Sequence, residues 1–272
     1  MKIPILMYHS ISSYASPRFI PCIMPPAMFE EQLSYLEQHH YTSLTITQLK
    51  QALAQGGHGL PERPVILTFD DGFADFYTHA LPALRRHGFS ATLYVVTGFV
   101  DGTSRWLQRM GEGTRPMLNW EQLAEISANG IECGAHTHTH PALDMLPPAV
   151  ARDEIARSKE LLEEHLERHV SSFAYPFGYY NAQVRRLVQQ TGFTSACVIK
   201  RALSSPHDNP YTISRLAIKP DTSLHDFALA LAGHGPLVAS SIKRVRARLR
   251  QSMRTTYGRL RGSRYTAYQE AG

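Results

Sequence analysis

The sequence predicts an α/β fold, a single barrel of about seven parallel strands ringed by helices and followed by a basic helical tail. Two observations predict it. Short apolar segments alternate with segments of helical period along most of the 272 residues, which implies parallel strands joined by right-handed crossovers. Such alternation leaves a doubly wound sheet or a (β/α) barrel. Neither GxGxxG nor GxxxxGK[ST] follows the first strand, which weakens the nucleotide-binding sheet and favours the barrel.

The first strand is IPILMY (3–8), an apolar run that reads as buried, with His9 at its exit. Phe29, Leu33 and Leu36 then recur at i, i+4, i+7 and predict a helix. VILTF (65–69) and ATLYVV (91–96) are the next strands, and residues 98–118, rich in Gly and Arg and weakly periodic, read as a long loop. Loops of that length in compact domains are often functional. Asn119-Trp120-Glu121 opens a helix carrying Leu123 and Ile126, followed by strand IECGA (131–135) and a helical stretch over 148–168. SSFAY (171–175) is a strand, Asn181 caps the helix of NAQVRRLVQQTG, and Gly192 closes it. TSACVI (194–199) and YTISRLAI (211–218) complete the set. The barrel is assigned to residues 1–236 and the tail to 237–272. In the tail Val238, Ile242, Val245, Leu249 and Met253 follow a helical period.

Composition narrows the function classes. A hydrophobic fraction of 43% supplies a core, and 19% charged residues exclude a disordered chain. Cys22, Cys133 and Cys197 are widely spaced, which argues against a disulfide framework or zinc knuckle and suits a reducing compartment. The apolar start is broken by Pro4 and His9 and lacks the features of a signal peptide, and no stretch approaches a membrane span. A soluble, cytoplasmic protein is the expectation. The net charge of +5 is local: residues 243–264 carry nine Lys/Arg and no acid, leaving 19 basic against 23 acidic residues elsewhere, a net of −4.

Chemistry collects just past the ends of three strands, where barrel active sites are built. In TFDDG, Asp70 and Asp71 leave a buried strand as adjacent carboxylates, which resist joint ionisation. A metal ion removes that penalty by holding one and leaving its neighbour as a base. In GAHTHTHPAL, His136 and His140 are four apart, so a helical turn would put them on one face to grip a cation, with His138 out of phase. Two imidazoles and one carboxylate make an open three-ligand hydrolytic site. In AYPFGYYN, Pro176 and Gly178 fix a tight turn, and Tyr175, Phe177, Tyr179 and Tyr180 could line a sugar-binding cleft.

TFDDG, HTHTH read as H-[S/T]-x-x-H, and YPFG resemble, in order over residues 65–200, the motifs of the polysaccharide deacetylases, the NodB-type metal-dependent N-deacetylases of carbohydrate esterase family four. The resemblance implies a distorted (β/α)7 barrel, Asp70 as general base, and Asp71, His136 and His140 as ligands of Zn²⁺ or of Co²⁺, Ni²⁺ or Fe²⁺. It implies an N-acetylated carbohydrate substrate, with the turn at Tyr175, Pro176, Phe177 and Gly178 contacting substrate and oxyanion. LMYHSI looks like the start of the circularly permuted branch typified by exopolysaccharide (poly-N-acetylglucosamine) deacetylases, which puts the general acid at His9. The sequence departs from the family where an arginine usually opens the third motif: Ala174 stands there. Arg215 is the candidate replacement as partner of Asp70.

Two other readings compete. An amidohydrolase- or phosphoesterase-like site would use His136 and His138, but such sites gather histidines at later strand ends, where this sequence has none. A non-catalytic reading makes the basic tail the working part. Its charge over 238–264 suits peripheral contact with anionic membrane at the inner face, and nucleic acid less so.

Overall fold

The computed structural model describes residues 2–238. From residue 239 onward the expected helical tail lies outside the described residues. Ten strands occur in the order β1 (Ile5–Tyr8), β2 (Ser10–Ile11), β3 (Ile23–Met24), β4 (Thr42–Ser43), β5 (Pro64–Phe69), β6 (Thr92–Val95), β7 (Glu132–Ala135), β8 (Ser172–Ala174), β9 (Ser195–Ile199) and β10 (Ile213–Ala217). Seven of them close a ring of parallel pairs: β1, β5, β6, β7, β8, β9, β10 and back to β1. The fold is therefore a distorted (β/α)7 barrel, and each of the seven strands read from the sequence supplies one stave. β4 extends β5 outside the ring, and β2 pairs β3 as a separate ribbon.

The apolar runs are continuous because both faces of each stave are covered. Along β1 and β5, Ile5 and Ile66 face inward with Tyr94, Ala174, Cys197 and Ile213. Leu6, Tyr8, Leu67 and Phe69 face outward against the helices. The helices are α1 (Pro26–Gln38), α2 (Ile46–Ala54), α3 (Leu81–Arg86), α4 (Trp120–Ala128), α5 (Pro148–Leu166), α6 (Ala182–Gln190) and α7 (Leu224–Leu231). α1 buries Phe29, Leu33 and Leu36 as the sequence period required, with Gln32 accepting the Tyr8 hydroxyl. Asn181 caps α6 by accepting the Val184 N–H, and Gly192 ends it with φ +90°.

α2, which the sequence reading omitted, seals the end of the barrel where strands begin. Thr45 and Gln48 form a reciprocal capping box at its start. The Ile46 N–H donates to Thr92, and Thr47 hydrogen-bonds Glu132, residues that open β6 and β7. With that end closed, the opposite rim carries the chemistry. The expected long loop 98–118 is a pair of 3₁₀ turns, Thr97–Phe99 and Arg105–Met110, anchored by charge. Arg115 pairs with Glu112 at 2.9 Å and Asp75 at 3.3 Å, and lies over the rings of Phe19 and Phe73.

Candidate active site

Each staged residue follows from where its strand stops. β5 ends at Phe69, so Asp70 and Asp71 stand at its C-terminal tip, and the chain turns away through left-handed backbone at Asp71 (φ +79°) and Gly72 (φ +86°). β7 ends at Ala135, which sets His136 to His140 on the neighbouring rim. β1 lies beside β5 in register, Tyr8 opposite Phe69, and Asp70 donates its N–H to the Tyr8 carbonyl. His9 thus leaves the barrel level with Asp70.

The structure brings Asp71, His136 and His140 together, one ligand atom from each lying within 4.8 Å of the others. Asp71 Oδ1 is 3.6 Å from His136 Nε2 and 3.3 Å from His140 Nε2. The helical turn expected for the two histidines is not what unites them: residues 136–140 form a loop, with left-handed backbone at Thr137 (φ +70°) and His140 (φ +62°). Two reversals in five residues fold the second imidazole back onto the first. His136 Nδ1 contacts the Ala174 carbonyl at 2.7 Å, a bond that makes Nδ1 the donor and leaves the Nε2 lone pair facing Asp71. His138 instead contacts Thr97 through Nδ1 at 3.1 Å and stands outside the cluster.

The electrostatics suit a divalent cation. Burial lowers His136 to about 4, against the pull of the Asp70 charge, and burial together with His136 holds His140 well below its ordinary value. Both rings are held neutral at pH 7, the form in which an imidazole can bind a cation. Burial and then the Asp70 charge push Asp71 well above its ordinary range. Its Oδ1 is buried without a hydrogen bond. A neutral pair of imidazoles around an orphaned carboxylate oxygen fits a cation such as zinc, whose ligands are drawn from this set.

Arg215 rises from β10 inside the barrel, wholly buried, and forks onto Asp70: its two terminal nitrogens donate to the two carboxylate oxygens at 2.6 and 2.7 Å. It also bonds Thr68 and lies over the Tyr94 ring. Burial raises Asp70, but the Arg215 charge, followed by His136, outweighs it and holds the carboxyl at about 2. His9 is pushed down by burial, drawn up by Asp70 and pushed down by Arg215, with a net lowering.

The third motif divides. Tyr175 is fully buried, stacked 5.1 Å from Tyr180, with its hydroxyl on the Tyr211 carbonyl. Its ring belongs to the core and is closed to a sugar, contrary to the expected aromatic cleft, because it is the outward-facing residue just beyond β8. Phe177 is 51% exposed and contacts the His140 ring edge-on at 4.7 Å. Tyr175 and Gly178 spend their N–H groups on the carbonyls of Cys197 and Tyr175, and Pro176 has none. The N–H of Phe177 is the donor left to this turn. The sequence reading passed over Trp106, whose ring lies 5.5 Å from His140 on the side of Phe99. Its only signal was a tryptophan in a loop of Gly and Arg.

A parallel barrel with two imidazoles and paired carboxylates on its C-terminal rim defines a hydrolase of the metal-dependent class. A sequence model described as polysaccharide deacetylase matches residues 57–196, and the chain belongs to that family. The Bacillus subtilis (strain 168) protein YxkH is 30% identical over 222 residues, 82% of this chain and 73% of its own. A Staphylococcus aureus poly-β-1,6-N-acetyl-D-glucosamine N-deacetylase is 24% identical over 208 residues, 73% of this chain and 69% of its own. The structure of Streptococcus pyogenes deacetylase PplD in complex with acetate superposes with a TM-score of 0.73 at 28% identity, over 87% of this chain and 99% of that one.

Proposed function

We propose that the protein hydrolyses the acetamido groups of an N-acetylglucosamine polymer, with Asp70 as base and His9 as acid on either side of one centre. The observation that carries this is the buried Asp71–His136–His140 cluster adjoining an ionised Asp70. A divalent cation held by those three, zinc in our reading, would supply Lewis-acid polarisation of the acetyl carbonyl and activation of water. Asp70, kept as an anion by Arg215, accepts the proton of the attacking water. The Phe177 N–H donates to the oxygen that gains charge, and the exposed Phe177 face offers a surface for the sugar ring. His9, in the imidazolium form that the Asp70 anion favours against burial, donates a proton to the nitrogen, so that the amine departs neutral and acetate is left.

The test is acetate release from N-acetylglucosamine oligomers before and after chelation. Release that stops on chelation and returns with zinc is expected. Chelator-resistant release, or none from any N-acetylated glycan, would sink the reading. The substrate is inferred from the named activity of the S. aureus relative. The basic run 243–264 supports a location at an anionic membrane surface, tested by binding to phosphatidylglycerol vesicles at low and high salt. Full-length protein that ignores such vesicles at low salt would refute that location.

A further inference from the structure

The loop that carries both histidines is held from outside by a residue no motif marks. Glu154, 6% exposed in the second turn of α5, reaches across to the middle of residues 136–140. Its Oε2 accepts the N–H groups of His138 at 3.0 Å and Thr139 at 2.8 Å, and its Oε1 accepts the Thr139 hydroxyl at 2.6 Å. The Glu154 main-chain carbonyl also accepts from the His138 N–H at 3.1 Å.

Those bonds fall where the loop most needs them. Thr137 and His140 both hold left-handed backbone, an unfavourable conformation for residues that carry a Cβ. The ends of the loop have their own ties: Thr137 Oγ1 accepts the His140 N–H at 3.0 Å, and the Thr97 N–H donates to the Thr137 carbonyl at 3.3 Å. Gly98 donates to the His138 carbonyl at 2.7 Å, with no room there for a Cβ, which would lie 2.6 Å from that oxygen. The two central amide N–H groups, between the strained positions, are satisfied by Glu154. Without its carboxylate the Thr139 N–H loses its acceptor and the His138 N–H keeps only the Glu154 main-chain carbonyl, so the loop is free to relax towards ordinary backbone angles, which spreads the imidazoles.

We propose that Glu154 is a positioning residue that sets the spacing of His136 and His140 for a divalent cation, through reach rather than through charge. It touches neither cation nor substrate. The inference rests on reading Asp71, His136 and His140 as a metal centre, and its test separates the two. Full-length apoprotein is titrated with Co²⁺ and followed by the visible d–d absorption of the bound ion, with the melting temperature of each apo form recorded beside it. Glu154→Gln keeps the reach and removes the charge: one amide oxygen can accept both N–H groups while the amide nitrogen faces the Thr139 oxygen. Glu154→Asp keeps the charge and withdraws the carboxylate by one methylene.

Co²⁺ affinity within about threefold of wild type for Glu154→Gln, and about 10- to 100-fold weaker with an altered band for Glu154→Asp, is the expected result. Equal affinity for Glu154→Asp and wild type would overturn the proposal, as would a Glu154→Gln loss as large as that of Glu154→Asp. If Glu154→Asp weakens binding only as far as its apo melting temperature falls, the role is folding and the proposal fails. Wild type that binds no Co²⁺ would instead refute the metal centre itself.

Discussion

Arg215 and Asp70, 145 positions apart, meet in a buried two-pronged ion pair with contacts of 2.6 and 2.7 Å. The barrel makes this possible: β10 closes against β1, and β1 against β5, so an inward side chain two staves away reaches the tip of β5. Removing one member of a buried pair leaves an uncompensated charge and costs about 3–5 kcal/mol. Arg215→Met is expected to lose that order of stability and to move the pH dependence. Asp70 at about 2 lies below its unfolded value of 3.8, so its stabilisation is present above pH 3.8 and is lost as pH falls towards 2. In Arg215→Met the folded value rises, acid unfolding begins at higher pH, and the acidic limb of kcat/KM climbs with it. An unchanged acidic limb would show that Arg215 does not tune Asp70.

The arginine can also be returned to the position the family resemblance assigns it. Ala174 is buried among inward-facing residues with Tyr94, Cys197 and Ile213, in the same interior that holds Arg215. In Arg215→Ala the interior has a vacated volume that a guanidinium can occupy. Ala174→Arg on that background is expected to recover at least about tenfold of the lost kcat/KM, whereas Ala174→Arg alone overpacks the interior and destabilises by about 1–3 kcal/mol. A double variant no better than Arg215→Ala would mean that the two positions do not address the same carboxylate.

How far the sequence led can be judged at these residues. Strand order and strand ends were legible because the staves are short, mostly apolar segments and several stop at a polar residue, as at Phe69–Asp70 and Ala135–His136. A joint site of His136, His140 and one carboxylate of the Asp70–Asp71 pair was legible from residue type and position at strand ends, and the choice of Asp71 came from the family resemblance. The means of grouping was not, because left-handed backbone at Thr137 and His140 leaves no mark in residues that are neither glycine nor asparagine. Tyr175 was misjudged because an aromatic beside a turn reads alike whether it faces core or cleft. Glu154 was invisible for a related reason: within a helix rich in Glu and Arg, nothing in spacing distinguishes a carboxylate aimed at the histidine loop.

His9 leaves β1 level with Asp70 and has an imidazole drawn between the charges of Asp70 and Arg215. An acid is needed only where the leaving group is a poor one. His9→Ala is therefore expected to lower kcat on N-acetylglucosamine oligomers by about 10²–10⁴-fold, the usual range for a positioned proton donor. On 4-nitrophenyl acetate, whose phenolate departs without a proton, the loss should stay below about tenfold. Bound-metal content should not change. Equal losses on amide and ester would assign His9 to the shape of the site and refute its role as acid.

A second titrating histidine lies on the outside of the barrel and ties α1 to the end of α3. His87 contacts Glu37 through Nδ1 at 2.6 Å and Glu30 through Nε2 at 2.9 Å, and Glu30 is shared with Arg86. Burial lowers His87, but the two carboxylates outweigh it and the net shift is upward. A histidine raised in the folded state contributes stability that is complete below its unfolded value of 6.5 and lost as pH rises through the folded value. The carboxylates are substantially exposed, which limits the pair to about 0.5–1 kcal/mol, or about 2 °C in a domain of this size. Melting temperature should therefore fall by about that amount between pH 6 and 8.5 in wild type relative to His87→Gln, and the difference should shrink in 1 M NaCl as screening weakens the pair. Parallel pH profiles for the two proteins would show that His87 carries no charge-dependent stability.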